Sequence, residues 1–250
     1  QTIQDFDQYW GNQPYKRGYG WKQFKRWQDF WEPRVFPHGF RPPLQMVWDE
    51  HKAFKRNYPT YNASSRNANW TSLGPDNWAT YSYNPGLGRV NVVAEDPNNS
   101  NVLYVGTPAG GCWKSADAGA TWTVLTDDFQ SLGVSAIAID PSNSNTVYIG
   151  TGDDDGSDTY SVGIFKSSDA GATWTEVTTG SSSIFGNTIY KILMHPTQNN
   201  TLFIISSNGC HKSTDGGTSW TLLLAGVWKD MELKPGDPNT MYLSNTTFYK

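Results

Sequence analysis

The 250-residue sequence predicts an all-β fold, a β-propeller of four-stranded blades, preceded by a short helical, aromatic-rich N-terminal strap. Three observations predict it. One eight-residue phrase occurs three times: Ser115 to Trp122 (SADAGATW), Ser167 to Trp174 (SSDAGATW) and Ser213 to Trp220 (STDGGTSW). Its aspartates, Asp117, Asp169 and Asp215, stand 52 and 46 residues apart, the length of one propeller blade and longer than most helical or leucine-rich repeats. Upstream of each copy, short β-branched and aromatic runs alternate with Pro, Asn and Ser clusters, an all-β pattern without helical periodicity.

Residues 1–66 differ in composition from the rest. They hold 11 Lys/Arg against 6 Asp/Glu, whereas residues 67–250 hold 8 against 17, which places a boundary between residues 60 and 70. Trp21, Phe24, Trp27 and Trp31 recur at helical spacing, so Gly20 to Glu32 reads as an amphipathic helix ended by Pro33. A second helix is expected from Leu44 to Tyr58, with Leu44, Val47, Trp48 and Phe54 inward and Pro59 as the stop. The segment is expected to strap itself across the acidic blades, tryptophans inward and lysines outward. An aromatic-basic helix also suits an interaction arm, a nucleic acid or a membrane surface. The net charge of −4, with its acid excess in the globular part, argues against nucleic acid, and no stretch is long and apolar enough to span a bilayer.

The blades follow in order. The first opens at Arg89 (VNVVAED, Pro97, NNSNVLYVGT), the second at Val134 (SAIAID, Pro141, SNSNTVYIGT) and the third at Ile189 (YKILMH, Pro196, TQNNTLFIIS). A fourth opens at Val227. Phe248-Tyr249-Lys250 aligns with Ile164-Phe165-Lys166, so the fourth blade is expected to be cut short and the chain to be the front of a longer protein.

The repeated phrase has a mechanical reading. After a strand ending in Lys114, Lys166 or Lys212 the chain must reverse. The aspartate accepts backbone N–H groups of the turn, Gly119, Gly171 or Gly217 tolerates positive φ, and Trp122, Trp174 or Trp220 anchors the outgoing strand. Ser115, Ser167 and Ser213 open the three turns, and all twelve residues read as structural. The phrases resemble the Asp-boxes of sialidase-like and sortilin-like propellers, which implies a fold and no particular chemistry.

The stretch Lys16 to Arg34, followed by Phe36-Pro-His-Gly, resembles the N-terminal segment of large secreted proteins of Bacteroidetes-type bacteria that carry Asp-box propellers. That resemblance implies export by the type 9 secretion system and a secreted or outer-surface location. Gln1 fits a mature end after removal of a signal peptide. The partners so implied are a protein or polysaccharide at the cell surface, or the outer-membrane secretion machinery.

Catalytic signals are weak. A sialidase needs several arginines for the substrate carboxylate, yet after Arg66 only Arg89 remains. Gly106 to Lys114 resembles the first blade of xyloglucan-hydrolysing propellers, where the residue after the threonine is a catalytic aspartate. Pro108 stands there, so one of the two carboxylates of an inverting hydrolase is missing at the matched position. Asp127 and Asp128 lie nearby in sequence with nothing tying them to a substrate.

The loop Gly152 to Asp158 carries four carboxylates. Asp153, Asp155 and Asp158 are calcium candidates, although the run lacks the distal glutamate of an EF-hand, and a solvated acidic loop is the plainer reading. No other cofactor is indicated. His195 and His211 occupy repeat slots filled by Asp140 and Phe165, and Cys112 and Cys210 read as small buried hydrophobes without a mutual disulfide. The favoured reading is a non-catalytic propeller that presents loops to a partner. The alternative is the propeller of a secreted glycan-active hydrolase.

Overall fold

The computed structural model describes residues 2–11, 20–35, 39–59, 88–131, 133–156, 159–178, 184–245 and 248–249. By contact the chain divides into two compact units, Gln1–Arg56 and Asn57–Lys250.

The first unit holds three helices: α1 (Thr2–Trp10), α2 (Trp21–Val35) and α3 (Leu44–Asn57). The sequence reading missed α1, whose Phe6 and Trp10 repeat at four residues; Phe6 stacks on Phe24 of α2 at 3.6 Å between ring centroids. It also ended α2 too early, because the helix runs through Pro33 to Val35. Proline removes one backbone donor, but with so little helix left beyond it the loss is local. The Arg34 guanidinium donates back to the Phe30 carbonyl and lies over the Phe30 ring at 3.8 Å. In α3 Trp48 is buried, while Phe54, expected inward, is 40% exposed.

From residue 88 onward the regular elements among the described residues are all β-strands. Three four-stranded sheets follow one another, each an antiparallel meander in chain order. The first comprises β1 (Val92–Asp96), β2 (Asn99–Gly106), β3 (Cys112–Ser115) and β4 (Thr123–Val124). The second comprises β5 (Val134–Ile139), β6 (Val147–Thr151), β7 (Ile164–Ser167) and β8 (Thr175–Glu176). The third comprises β9 (Ile189–Met194), β10 (Leu202–Ser206), β11 (Gly209–Ser213) and β12 (Thr221–Ala225). A three-stranded sheet follows: β13 (Asp230–Lys234), β14 (Asp237–Ser244) and β15 (Phe248–Tyr249). These are the blades that the repeat predicts, the fourth incomplete among the described residues.

Period-2 alternation sends the two faces of each blade into different seams. Tyr148 and Ile164 of the second blade pack with Ile192, Leu202 and Ile204 of the third. The opposite face of the third blade, with Phe203, Ile205 and Cys210, packs with Trp228, Met231 and Leu243 around the fourth. Gly106 ends β2 and Gly150 is the penultimate residue of β6, at places where a neighbour crosses close by: a Cβ on Gly150 would stand 2.6 Å from Ile189 of β9. Cys112 and Cys210 are buried free thiols, and burial pushes them up to about 12 and about 11.

Candidate functional site

Two constellations collect the polar side chains that the sequence singles out. The first is the hairpin clasp between the third and fourth strands of each blade. In the second blade the Ser167 hydroxyl donates to Asp169 Oδ1 at 2.8 Å and accepts the backbone N–H groups of Asp169 (3.2 Å) and Gly171 (2.8 Å). Asp169 in turn accepts the backbone N–H of Thr173 at 2.8 Å and its hydroxyl at 2.6 Å. Ser115, Asp117, Gly119 and Thr121 repeat this set, as do Ser213, Asp215, Gly217 and Ser219.

The hydroxyls of Thr121, Thr173 and Ser219 were not singled out from sequence, although every copy of the phrase carries a hydroxyl before its tryptophan. They dominate the electrostatics. Donation from that hydroxyl, then from its backbone N–H, then from the opening serine lowers each of Asp117, Asp169 and Asp215 to about 2. Carboxylates so fully engaged have no proton to exchange near neutrality.

The clasps also join blades, which the sequence reading did not foresee. Tyr104 on β2 donates its hydroxyl to the carbonyl of Ala170 in the second blade's clasp at 3.1 Å, and Lys114 reaches the same oxygen at 3.1 Å. Tyr148 on β6 donates to the carbonyl of Gly216 in the third blade's clasp at 3.0 Å. The residues so gripped have positive φ: Ala170 at 56° and Gly216 at 72°. A Cβ on Gly171 would fall 2.6 Å from Leu125 of the first blade, and one on Gly217 3.2 Å from Val177 of the second. Among the described residues, a Cβ on Gly119 would meet nothing nearer than its own Trp122 at 3.6 Å. Trp122 is accordingly 40% exposed, whereas Trp174 and Trp220 are half-buried.

The second constellation lies at the opposite end of the strands. Arg89, just before β1, donates Nη2 to Asp153 Oδ2 at 2.6 Å and Nη1 to Asp155 Oδ2 at 2.8 Å. The Asp153 carboxylate is fully buried and also accepts the backbone N–H of Gly156 at 3.1 Å. Burial opposes the Arg89 charge, but its hydrogen bonds to the Asp153 and Asp155 carboxylates hold its pKa above the usual value. Burial raises Asp154. Of the three calcium candidates the structure brings Asp153 and Asp155 together on the Arg89 guanidinium, and Asp158 lies outside the described residues. Among the described residues no cluster of His, Cys, Asp and Glu is arranged to hold a metal ion.

Pro108 is buried beside this constellation, and its carbonyl accepts the Thr159 hydroxyl at 2.7 Å. Gly133 packs against the same strand of chain, since a Cβ there would sit 2.9 Å from the Pro108 carbonyl oxygen. His195 does the work of Asp140: its Nδ1 accepts the Thr197 N–H at 3.3 Å, as Asp140 Oδ1 accepts the Ser142 N–H at 2.8 Å.

Repeating clasps on successive four-stranded meanders point to one kind of propeller. A family model, Sortilin-Vps10 (sortilin, neurotensin receptor 3), matches residues 110–246, more than half of the chain. The chain belongs to the Sortilin-Vps10 family. The matched stretch takes in all three clasps of this Sortilin-Vps10 chain. No curated protein matches it significantly in sequence. Among solved structures it is similar to an ancestral GH74 enzyme, with a TM-score of 0.55 at 23% identity over 65% of this chain and 22% of that one. It also resembles the GH74 enzyme of Niastella koreensis (TM-score 0.49, 28% identity, 62% and 25% covered). A third likeness is the extracellular domain of a putative one component system from B. thetaiotaomicron (TM-score 0.46, 12% identity, 62% and 20% covered). The first of these likenesses shows the propeller fold, and the chain spans about a quarter or less of each of the three. No described helix is long and apolar enough to cross a membrane.

Proposed function

We propose that this chain is a non-catalytic binding scaffold, a secreted or cell-surface propeller whose strand-end loops meet a protein or polysaccharide. The observation that carries the reading is the state of the carboxylates. Asp117, Asp169 and Asp215 are spent on their turns, Asp153 is neutralised by Arg89, and Pro108 supplies no carboxylate where a xyloglucan-hydrolysing propeller has one. Paired-carboxylate hydrolysis needs one group free to give a proton and another free to take one. The surface left for a partner includes the exposed Asp155 on Arg89 and, farther along the chain before β7, the Tyr160 ring, 70% exposed. Export as cargo or associate of the type 9 secretion system is part of the same proposal and rests on the resemblance of residues 16–39.

The test is a hydrolysis and binding screen of the intact chain against xyloglucan, other soluble polysaccharides and outer-membrane extracts. Binding without release of reducing ends is expected. Turnover that vanishes in Asp153→Asn with an unchanged melting temperature would overturn the scaffold reading.

A further inference from the structure

His211 on β11 has no exposed surface, and among the described residues neither Nδ1 nor Nε2 has a hydrogen-bond partner of normal geometry, the Gly209 backbone being only a weak neighbour. Buried polar groups are ordinarily paired, because an unpaired one has given up water for nothing. Its cross-strand neighbours are Ile204 on β10 and Leu222 on β12. Ile204 belongs, with Leu202 and Ile192, to the cluster that joins the third blade to Tyr148 and Ile164 of the second. The imidazole therefore faces the seam between those blades. At the matched position of the second blade stands Phe165, whose ring packs on Phe129 at 4.5 Å. A titratable ring occupies a slot that its neighbouring repeat fills with hydrocarbon.

We propose that His211 is an acid-sensitive latch, which seals the seam between the second and third blades while neutral and opens it when protonated. An imidazolium there has two N–H donors and no acceptor. Among the described residues the charged groups of the surrounding elements are already engaged; Asp140, just past β5, accepts the Ser142 N–H and hydroxyl. Strand alternation puts Leu202, Ile204 and Ser206 of β10 and Leu222 of β12 on its face. The titratable groups that β6 and β7 present to the same seam are Tyr148 and Lys166, the first donating to the Gly216 carbonyl and the second lying over the Tyr148 ring at 5.4 Å. Asp215, in the clasp that follows β11, is held by Ser213 and Ser219. Residues 179–183, in the connector before β9, read TGSSS and carry no charge. Burial accordingly lowers the His211 pKa, with the Gly209 backbone opposing. A histidine depressed in the folded state binds its proton more readily when unfolded. The stability it contributes is present above the unfolded value of about 6.5 and is lost as the pH falls below it.

The experiment is a set of thermal melts of the full chain at pH 7.5 and 5.0, comparing the native protein with His211→Phe and His211→Gln. The clasp aspartates titrate far lower, and the other histidines are common to all three proteins. The native melting temperature is expected to fall by roughly 3 °C or more between the two values. At least half of that fall should disappear in each variant that folds. Hydrogen exchange at pH 5.0, corrected for the intrinsic rate, should quicken in β10 and β11 before it does in β2. A native protein with no fall, variants that keep the full fall, or exchange that quickens equally in β2 would each overturn the latch.

Discussion

Replacing Ser167 by alanine tests the clasp at its tightest point. The hydroxyl is 1% exposed at residue level and makes three hydrogen bonds, two of them as acceptor from backbone N–H groups. Alanine leaves the Gly171 N–H unpaired in a buried position and the Asp169 N–H unpaired in a half-buried one. An unsatisfied buried donor costs about 1–3 kcal/mol and a half-buried one less, so Ser167→Ala is expected to cost about 2–4 kcal/mol. At about 2–4 °C per kcal/mol for a chain of this size, the melting temperature followed by circular dichroism should drop by roughly 5–15 °C. Ser115→Ala removes the same three bonds where the Gly119 N–H is only part-buried, and about 1–2 kcal/mol is expected. Ser213→Ala should resemble Ser167→Ala, because the Gly217 N–H is buried too. Equal losses for Ser115→Ala and Ser167→Ala, or a larger loss for Ser115→Ala, would refute the claim that seam burial sets the cost.

Gly171→Ala and Gly119→Ala share the strain of a positive φ, near 94° and 90°, but only the first drives a methyl against Leu125; it should be the more damaging by urea titration, and Gly171→Ala with Leu125→Ala should recover part of the loss. Acid denaturation should show a further stability loss below pH 4. Asp117, Asp169 and Asp215 are depressed to about 2 in the folded state, so the stability they confer is present above the unfolded value of about 3.9 and lost as the pH falls towards 2. The loss between pH 4 and 2 should shrink in Asp169→Asn. Arg89→Gln leaves the buried Asp153 carboxylate without its cation and should lower the melting temperature, and Asp153→Asn in the same chain should restore part of it. Calcium at millimolar concentration should leave the native melting temperature unchanged within 1 °C or so, since Arg89 already sits on Asp153 and Asp155.

Much of the blade architecture was legible because it repeats. The strands VLYVGT and TVYIGT, the turn prolines Pro97, Pro141 and Pro196, and the aspartate phrase each occupy one register position, and each landed on the element expected of it. The helix α1 was not legible in the same way, being a single short run with no second copy to check it against. Long-range partners were hidden for a different reason. Arg89 and Asp153 are 64 residues apart, and nothing in either local sequence says that the approach to β1 meets the loop after β6. The bonds from Tyr104 and Tyr148 to the next clasp span 66 and 68 residues, yet a hint existed: both tyrosines hold the same place in their strands. Asp153, Asp155 and Asp158 are calcium candidates by their spacing around a glycine, and that spacing cannot reveal that the first blade sets the Arg89 guanidinium on two of them.

The substitution of Phe203 for those tyrosines has a consequence for how the molecule comes apart. In a linear array of repeats, cooperativity is set by the weakest coupling between neighbours. Tyr104 and Tyr148 each send a hydroxyl forward to the next blade, but Phe203, at the same register on β10, can pack beneath Lys212 at 5.5 Å and donate nothing. The third blade thus sends no hydroxyl forward and meets the fourth through the apolar cluster of Phe203, Trp228 and Met231 and through the half-exposed pairs of Lys191 with Asp230 and Glu232. Force or denaturant should peel the fourth blade from the third as a separate event while the first three still move as one body, and a tyrosine at position 203 would only tighten that joint if the next clasp offered it a carbonyl.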